Sequence, residues 1–479
     1  MLNWLDWGLN LWRGGFESLL FTTILYLTGW IIVIWAGVQS LKHLVADKPS
    51  RWVWALLFIG LLLRLGWIIS TQPNPISDYA TYWHYAEPLA AGDFTFTNID
   101  KHPGIIILMA LSQAVFGNSY WPMWVLNLVL SFGVMTLIYL LTHRLFNRTA
   151  ALIALAFAAL QPQLITYSAL LASELPTLYL YLSLIWMTLA TRFAEPKKMM
   201  PWFVLGATLY VAVLTRSTAL AFGLLSVMTV ILFRHQTWKT NLKGLLTFGL
   251  TAGLLLSSWV YHQYLLTGKA QLFWGGEIWL VATTHYETES RLVAPRSIPA
   301  LRQKIDAAIR NKTGPQARMA ELAEDKKWAM AIFQQNPARY FEGGKIRLRH
   351  IFWTTSETGI RDTQWGSARL NSLGHKVIRR MTEASKHTWR FTLILSILGL
   401  LLSLFQWRRL SPTAREGLFM IIGFLSIWIT FHYLMAVASD RWAVQVIPFA
   451  LMFAAQAITT VLGWLANLFH LRKPESALY

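Results

Sequence analysis

Long, continuously apolar runs separated by short polar loops dominate this chain. They lie near Phe16 to Val38, Val53 to Ser70, Tyr120 to Leu141, Ala150 to Tyr167, Leu175 to Thr191, Pro201 to Leu214, Thr218 to Phe233, Leu245 to Leu265, Phe391 to Phe405, Leu418 to Val437 and Val444 to Leu468. A helix needs about 20 such residues to cross ~30 Å of hydrocarbon. None of the runs alternates with period two, so helices and not barrel strands are predicted. The expected fold is an all-α polytopic membrane protein with about 11 transmembrane helices.

The short loops orient that bundle. When the spans are threaded alternately, Lys42, Lys48 and Arg51 fall on one side with Arg144 and Arg148, with Arg192, Lys197 and Lys198, and with Arg234, Lys239 and Lys243. Arg408, Arg409 and Arg415, then Arg472 and Lys473, join them. Short cationic loops stay in the cytoplasm, so this side is read as cytoplasmic, with the amino terminus outside and the carboxyl terminus inside. The segment from Ser77, the Leu170 to Pro176 loop, Arg216, the stretch from Thr267 to Arg390, and Asp440 with Arg441 are then expected outside. The opening MLNWLDWGLNLWRGG has no basic region ahead of an apolar core, so no cleavable signal is expected. Trp4, Trp7 and Trp12 suit an interfacial helix there.

Composition agrees: 55% of residues are hydrophobic, only 14% are charged, and too little polar surface remains for a soluble globule of 479 residues. The absence of cysteine removes disulfides, thiol catalysis and thiolate metal sites. The net charge of +19 is largely the cytoplasmic loops, but the outer stretch from Lys269 to Arg390 is also basic, with 21 Lys and Arg against 11 Asp and Glu. That stretch predicts helices around Ile298 to Asn311 and Arg318 to Gln335, the second ended by Asn336 and Pro337. It reads first as a solvated cap on the bundle, and alternatively as a surface for anionic headgroups or an anionic glycan. Nucleic acid is excluded as a partner on an outer face. The expected organisation is a membrane bundle over 1–266 with a chemically rich first outer loop at 72–119, a mainly helical outer cap over 267–390, and closing membrane helices over 391–479.

Candidate chemistry gathers in that first loop, SDYATYWHYAEPLAAGDFTFTNIDKHPG from Ser77 to Gly104. Asp78 follows a span directly, so it sits at the rim of the bundle, where an apolar wall on one side and water on the other suit a general base. Lys101 and His102 return a cation just before Ile105 to Phe116, a stretch too short to span comfortably and expected to lie along the interface or dip into it. Trp83, Trp274 and Trp279 read first as interfacial belt residues and alternatively as stacking faces for sugars. Arg64, inside a span, requires a partner that the sequence does not name.

The order of these elements resembles the GT-C superfamily of polyprenyl-phosphate-sugar glycosyltransferases. It runs from Asp78 through Tyr82 and Tyr85 with Ala86, Ala91-Gly92-Asp93 and Asp100-Lys101-His102-Pro103 to Phe116-Gly117. Leu145-Phe146 with Arg148, Gln161-Pro162, Ser173-Glu174-Leu175-Pro176 and the stretch from Ser439 to Pro448 continue it. Within the superfamily the pattern is similar to the lipid A aminoarabinose transferases and the bacterial relatives of protein O-mannosyltransferases. It departs in the added span from Phe16 to Val38, in His102 where relatives carry a second proline, and in the cap.

The resemblance implies a GT-C-like bundle with interfacial helices in the first outer loop, in the inner membrane of a bacterium, acting at its outer face. The implied reaction is inverting transfer of a monosaccharide from a polyprenyl-phosphate donor to a hydroxyl of an envelope glycan, lipid or protein. Asp78 is then the base, and Lys101, Arg216 and Arg441 bind the donor phosphate. Asp100, His102, Glu174 and Tyr82 contact sugar or acceptor or support the site. Plain readings stand beside these: Arg216 and Arg441 as headgroup anchors, Glu174 as an acid at a helix N-terminus. No metal ligand set is assigned to His84, His102 and their neighbouring carboxylates. A divalent cation is left open, because some relatives use one. A lipid-linked glycan polymerase or ligase, and a transporter or flippase of lipid-linked sugars, are the alternative functions.

Overall fold

The computed structural model describes residues 19–46, 49–94, 101–191, 199–233, 237–272, 299–335, 337–353, 360, 362–363, 366–367, 372–435 and 440–468, some of the later helical ones by backbone alone. Among them it is all-helical, with no strand. In chain order the α-helices are α1 Leu20–Ala46, α2 Arg51–Thr71, α3 Ser77–Ala90, α4 Pro103–Phe116, α5 Trp121–Leu145, α6 Arg148–Leu160, α7 Pro162–Thr166, α8 Glu174–Thr191, α9 Met200–Thr215, α10 Leu220–Phe233 and α11 Trp238–Thr267. The cap and closing helices are α12 Pro299–Ile309, α13 Gly314–Gln335, α14 Pro337–Trp353, α15 Ser372–Phe405, α16 Pro412–Met435 and α17 Ile447–Leu468, the last preceded by a 3-10 turn at Asp440–Val446.

Among the described residues seven helical stretches are long and apolar enough to cross a membrane: Leu20–Lys42, Arg51–Thr71, Trp121–Leu145, Trp238–Thr267, Ile378–Phe405, Pro412–Tyr433 and Ala443–Leu468. The four remaining expected spans form α6, α8, α9 and α10, of which α6, α9 and α10 are short. For α8 the physical reason is position. α8 is buried along almost its whole length, with α5 and α9 packed on it, so its Tyr, Thr and Ser residues face protein and it needs no lipid-facing apolar surface. The outer helices do the opposite: Ile31, Phe58, Leu254 and Ile394 stand exposed on α1, α2, α11 and α15, as lipid contact requires. The chain is a multi-pass membrane protein.

The expected span from Ala150 to Tyr167 is divided. Asn147 caps α6, its side chain accepting from the Ala150 N–H at 2.9 Å. α6 ends at Leu160 because Pro162 disfavours helical backbone at Gln161 and cannot donate to the carbonyl four residues back. Arg64 of α2 resolves that loss: its Nη2 donates to the Ala158 carbonyl at 3.0 Å and its Nη1 to the Ala159 and Gly60 carbonyls at 3.3 and 2.9 Å. The partner of this intramembrane cation is therefore the open end of a helix. From 167 to 173 the backbone is irregular yet buried, held by Trp124 donating to the Ala169 carbonyl and Asn127 donating to those of Ser168 and Leu170. Irregular backbone at this depth is tolerated because protein surrounds it.

Within the cap, α12 packs on α13, with Lys304 Nζ 5.2 Å from the Trp328 ring centroid. α14 is no free-standing piece of the cap. It lies along α16, with Tyr433 Oη donating to the Phe341 carbonyl at 2.9 Å and Trp389 of α15 donating to that of Phe352 at 3.0 Å. α15 runs unbroken through residue 390, from cap to span. Trp4, Trp7, Trp12, Trp274 and Trp279 lie outside the described residues.

Candidate active site

The turn before Asp78 is shaped by its backbone. α2 stops where Gln72 turns left-handed at φ 38°, its N–H returning to the Ile68 carbonyl, and Ser77 takes φ 52° to enter α3. Positive φ at non-glycine residues stores strain of order 1 kcal/mol each, a feature that concentrates at functional sites. Asp78 emerges in the first turn of α3, where the helix dipole favours a carboxylate. Tyr82 lies one turn on along the same face. The other side of α3 is clamped: Trp83 is buried, its Nε1 donating to Asn118 Oδ1 at 2.7 Å, and its carbonyl accepts from Gln113 at 3.0 Å. Glu87 bonds only locally with His84 in the described contacts, and Asp93 closes the turn after Gly92 by donating its N–H to the Pro88 carbonyl.

Lys101 comes back to this carboxylate. Its Nζ lies 3.9 Å from Asp78 Oδ1, with the two side chains 27% and 41% exposed, so the pair sits at a solvent-reachable rim. His102 is the N-cap residue of α4, and Pro103 starts the helix. α4 enters the bundle and does not lie flat on it: Pro103 to Ala110 are buried, while Leu111, Val115 and Phe116 are exposed. Gly104 makes that entry fit, since a Cβ there would stand 2.8 Å from the Leu214 carbonyl oxygen. The Nδ1 of His102 is shielded from solvent. Burial pushes its imidazole down to about 3, and Arg216 and Lys101 push the same way.

Arg216 supplies the second cation. It follows α9 in extended conformation, its N–H bonded to the Ala212 carbonyl at 2.7 Å, and its side chain turns inward with 6% exposure. Nη1 donates to Ser173 Oγ at 3.3 Å and lies 3.5 Å from Oε1 of Glu174, which is fully buried. Glu174 does open a helix, as its plain reading had it, but it also faces Arg216. A pair this deep is strongly destabilised when one partner is removed, so it holds the arginine in place. Arg216 is also within electrostatic reach of Tyr181 and His432.

Asp78, Lys101, His102, Glu174 and Arg216 thus converge at the end of the bundle where α2, α9 and α16 finish and α8 and α10 begin. Asp100 lies outside the described residues, and of Arg441 only the backbone, in the 3-10 turn before α17, is described. Sequence reading missed His432, a buried histidine in the last turn of α16 whose Nδ1 bonds the Trp428 carbonyl at 2.7 Å. An ionisable residue inside an apolar span was the available signal. No group of three or more metal-ligating side chains occurs among the described residues. An apolar groove of about 150 Å³ runs between α1, α5 and α8, lined by Trp30, Val129, Tyr179 and their neighbours. No charged side chain lines it, so the chemistry belongs to the polar end.

The cap reaches this end. The Asn74 N–H donates to the Gly366 carbonyl at 2.9 Å, and Ser367 Oγ donates to that of Thr71 at 2.5 Å. Ile360, Asp362 and Thr363 are buried beside them in sequence. A segment that arrives almost 300 residues later thereby braces the turn carrying Asp78.

Residues 100–262 match the model of a family described as dolichyl-phosphate-mannose-protein mannosyltransferase. The structure is similar to the archaeal oligosaccharyltransferase AglB from Archaeoglobus fulgidus, solved in complex with an inhibitory peptide and a dolichol-phosphate, with a TM-score of 0.52 and 13% identity over 90% of this chain and 52% of that one. The apo form of the Archaeoglobus fulgidus oligosaccharyltransferase gives 0.51 and 13%, covering 88% and 52%. ArnT from Cupriavidus metallidurans, bound to undecaprenyl phosphate, aligns at 0.36 and 13%, covering 89% and 82%. The chain therefore spans about half the length of the oligosaccharyltransferase that it matches. No curated protein matches the sequence.

Proposed function

We propose, from the premise that this chain has the fold of the GT-C glycosyltransferases, that it is an inverting glycosyltransferase using a polyprenyl-phosphate monosaccharide as donor and a hydroxyl of an envelope glycan, lipid or protein as acceptor. The observation that carries the reading is the convergence of Asp78 with Lys101 and Arg216 at one end of the bundle. A sugar phosphate already holds a good leaving group, so one base and a phosphate cradle suffice, where a glycosidase needs an acid as well.

In this reading the Asp78 carboxylate takes the proton of the acceptor hydroxyl. The acceptor oxygen attacks the anomeric carbon from the face opposite the phosphate, and the bond from that carbon to the phosphate oxygen breaks with its electron pair. Lys101 and Arg216 meet the charge that develops on the phosphate, in a half-buried site where such contacts count for more than in water. The N-terminus of α4 adds its positive dipole end on the same side. His102, neutral, contributes hydrogen bonding without adding a third charge. Glu174 supports Arg216, and Tyr82 contacts sugar or acceptor. The archaeal oligosaccharyltransferase of similar fold is solved in complex with a phosphate-bearing lipid of the same class, dolichol-phosphate, which supports the choice of donor.

The site stands at the outer face of a bacterial inner membrane, with the amino terminus outside, eleven crossings, and the cap over 267–390 as the outer domain. The cationic loops support that orientation. The test is transfer by the purified protein from polyprenyl-phosphate monosaccharides to an envelope extract, read as released polyprenyl phosphate. Asp78→Asn should lower turnover by about 10³-fold, within the range of a lost general base, with thermal unfolding unchanged. Full turnover by a folded Asp78→Asn protein would remove the base assignment, and no turnover by the wild type with any donor would remove the transferase.

A further inference from the structure

Behind the two cations stands α1, which carries none of the residues assigned above. Its Tyr26 is fully buried and touches two site-bearing elements with one oxygen. Tyr26 Oη lies 2.8 Å from Oγ1 of Thr215, the residue before Arg216. The same oxygen would stand 2.6 Å from a Cβ added at Gly104, two residues after His102. Proton counting orients the bond: Thr215 Oγ1 gives its one hydrogen to the Val211 carbonyl at 2.8 Å, so Tyr26 is the donor to Thr215. The ring is itself held, edge-on to Trp30, which stacks on Tyr179 of α8.

Two further bonds tie α1, and Leu19 just before it, to α9 and to the loop that follows α3. Tyr210 Oη of α9 donates to the Thr22 carbonyl at 3.2 Å, and the Leu19 N–H donates to the Phe94 carbonyl at 3.0 Å, just before the stretch that leads to Lys101. α1 and Leu19 therefore contact the end of α9, the start of α4 and the beginning of the loop after α3 together. We propose that α1 is a strut of the active site and that Tyr26 is a positioning residue, setting the separation of Arg216 from Lys101 and His102 and with it the affinity for a polyprenyl phosphate. The inference rests on the donor reading above.

Binding of polyprenyl phosphate in detergent micelles, followed by tryptophan fluorescence, tests it beside steady-state kinetics with the sugar-loaded donor. Tyr26→Phe keeps the ring and removes one hydrogen bond, so it should weaken binding about fivefold and raise KM by the same factor, with kcat nearly unchanged. Thr215→Val should match it, the double variant should be no worse than either single one, and Thr215→Ser should bind like the wild type. A merely structural role would lower the melting temperature without this split or this rescue. Wild-type binding by both Tyr26→Phe and Thr215→Val overturns the strut, and if Tyr26→Phe fails to fold, the Thr215→Val and Thr215→Ser pair decides alone. If the wild type binds no polyprenyl phosphate, the donor reading fails first, and the strut proposal fails with it.

Discussion

His102 shows how a single residue takes its character from what surrounds it. In the unfolded chain its imidazole titrates near 6.5, whereas in the fold burial, then Arg216 and Lys101, push it down to about 3. Below pH 6.5 the unfolded state therefore binds a proton that the folded state does not. Stability from this group is whole above 6.5 and is lost progressively as pH falls toward 3. His102→Gln should flatten the decline of the melting temperature between pH 6.5 and 5, and slopes equal to the wild type would assign that decline elsewhere. The sequence marked His102 by its place beside Lys101 and by the resemblance, not by its protonation state. Its neutral state depends first on burial, as α4 enters the bundle, and then on Arg216, more than a hundred residues away along the chain.

At the scale of elements, the junction of α6 and α7 was half legible. Arg64 was legible as a cation needing a partner, whereas Ala150 to Tyr167 read as one span across Gln161-Pro162; that the break and the cation resolve each other required their contact. Arg64→Met should cost about 2–4 kcal/mol, since two buried carbonyls lose their donors. Pro162→Ala restores an N–H that can serve Ala158, so the double variant Arg64→Met/Pro162→Ala should be less destabilised than the sum of the single ones. Strict additivity in thermal unfolding would show that the arginine acts through something other than these carbonyls. The same dependence on contact explains α4. An apolar stretch of this length fits an interfacial helix or one that dips inward, and only Gly104 seated against Leu214 decides for the second.

Across the whole molecule the cap and the membrane bundle meet at the turn ahead of Asp78. Gly366 is packed so closely that an added Cβ would lie 2.4 Å from the Asn74 carbonyl oxygen, and backbone cannot give way as a flexible side chain can. Gly366→Ala should therefore lift this segment from the turn, lowering donor turnover about tenfold and exposing the cap to limited proteolysis while the spans remain folded. Unchanged turnover with a released cap would show that the brace does not serve the site. The basic stretch, read from charge alone as a solvated cover or an anion-attracting surface, is in the structure hydrogen-bonded to the turn ahead of Asp78.

What the sequence determined by itself was the local and the cumulative: helical spans from unbroken apolar runs, and an order of motifs that implied the GT-C fold before any contact was known. The nearness of Lys101 to Asp78 follows from the sequence, because both lie in one loop between apolar helices, where chain connectivity already limits how far apart they can be. The tertiary structure alone decided which helices lie inside, that Arg216 faces Glu174, that Arg64 closes α6, and that α1 stands behind the cations. These are contacts between residues distant along the chain. Periodicity reports which face of a helix is apolar, but it carries no record of which other helix meets that face.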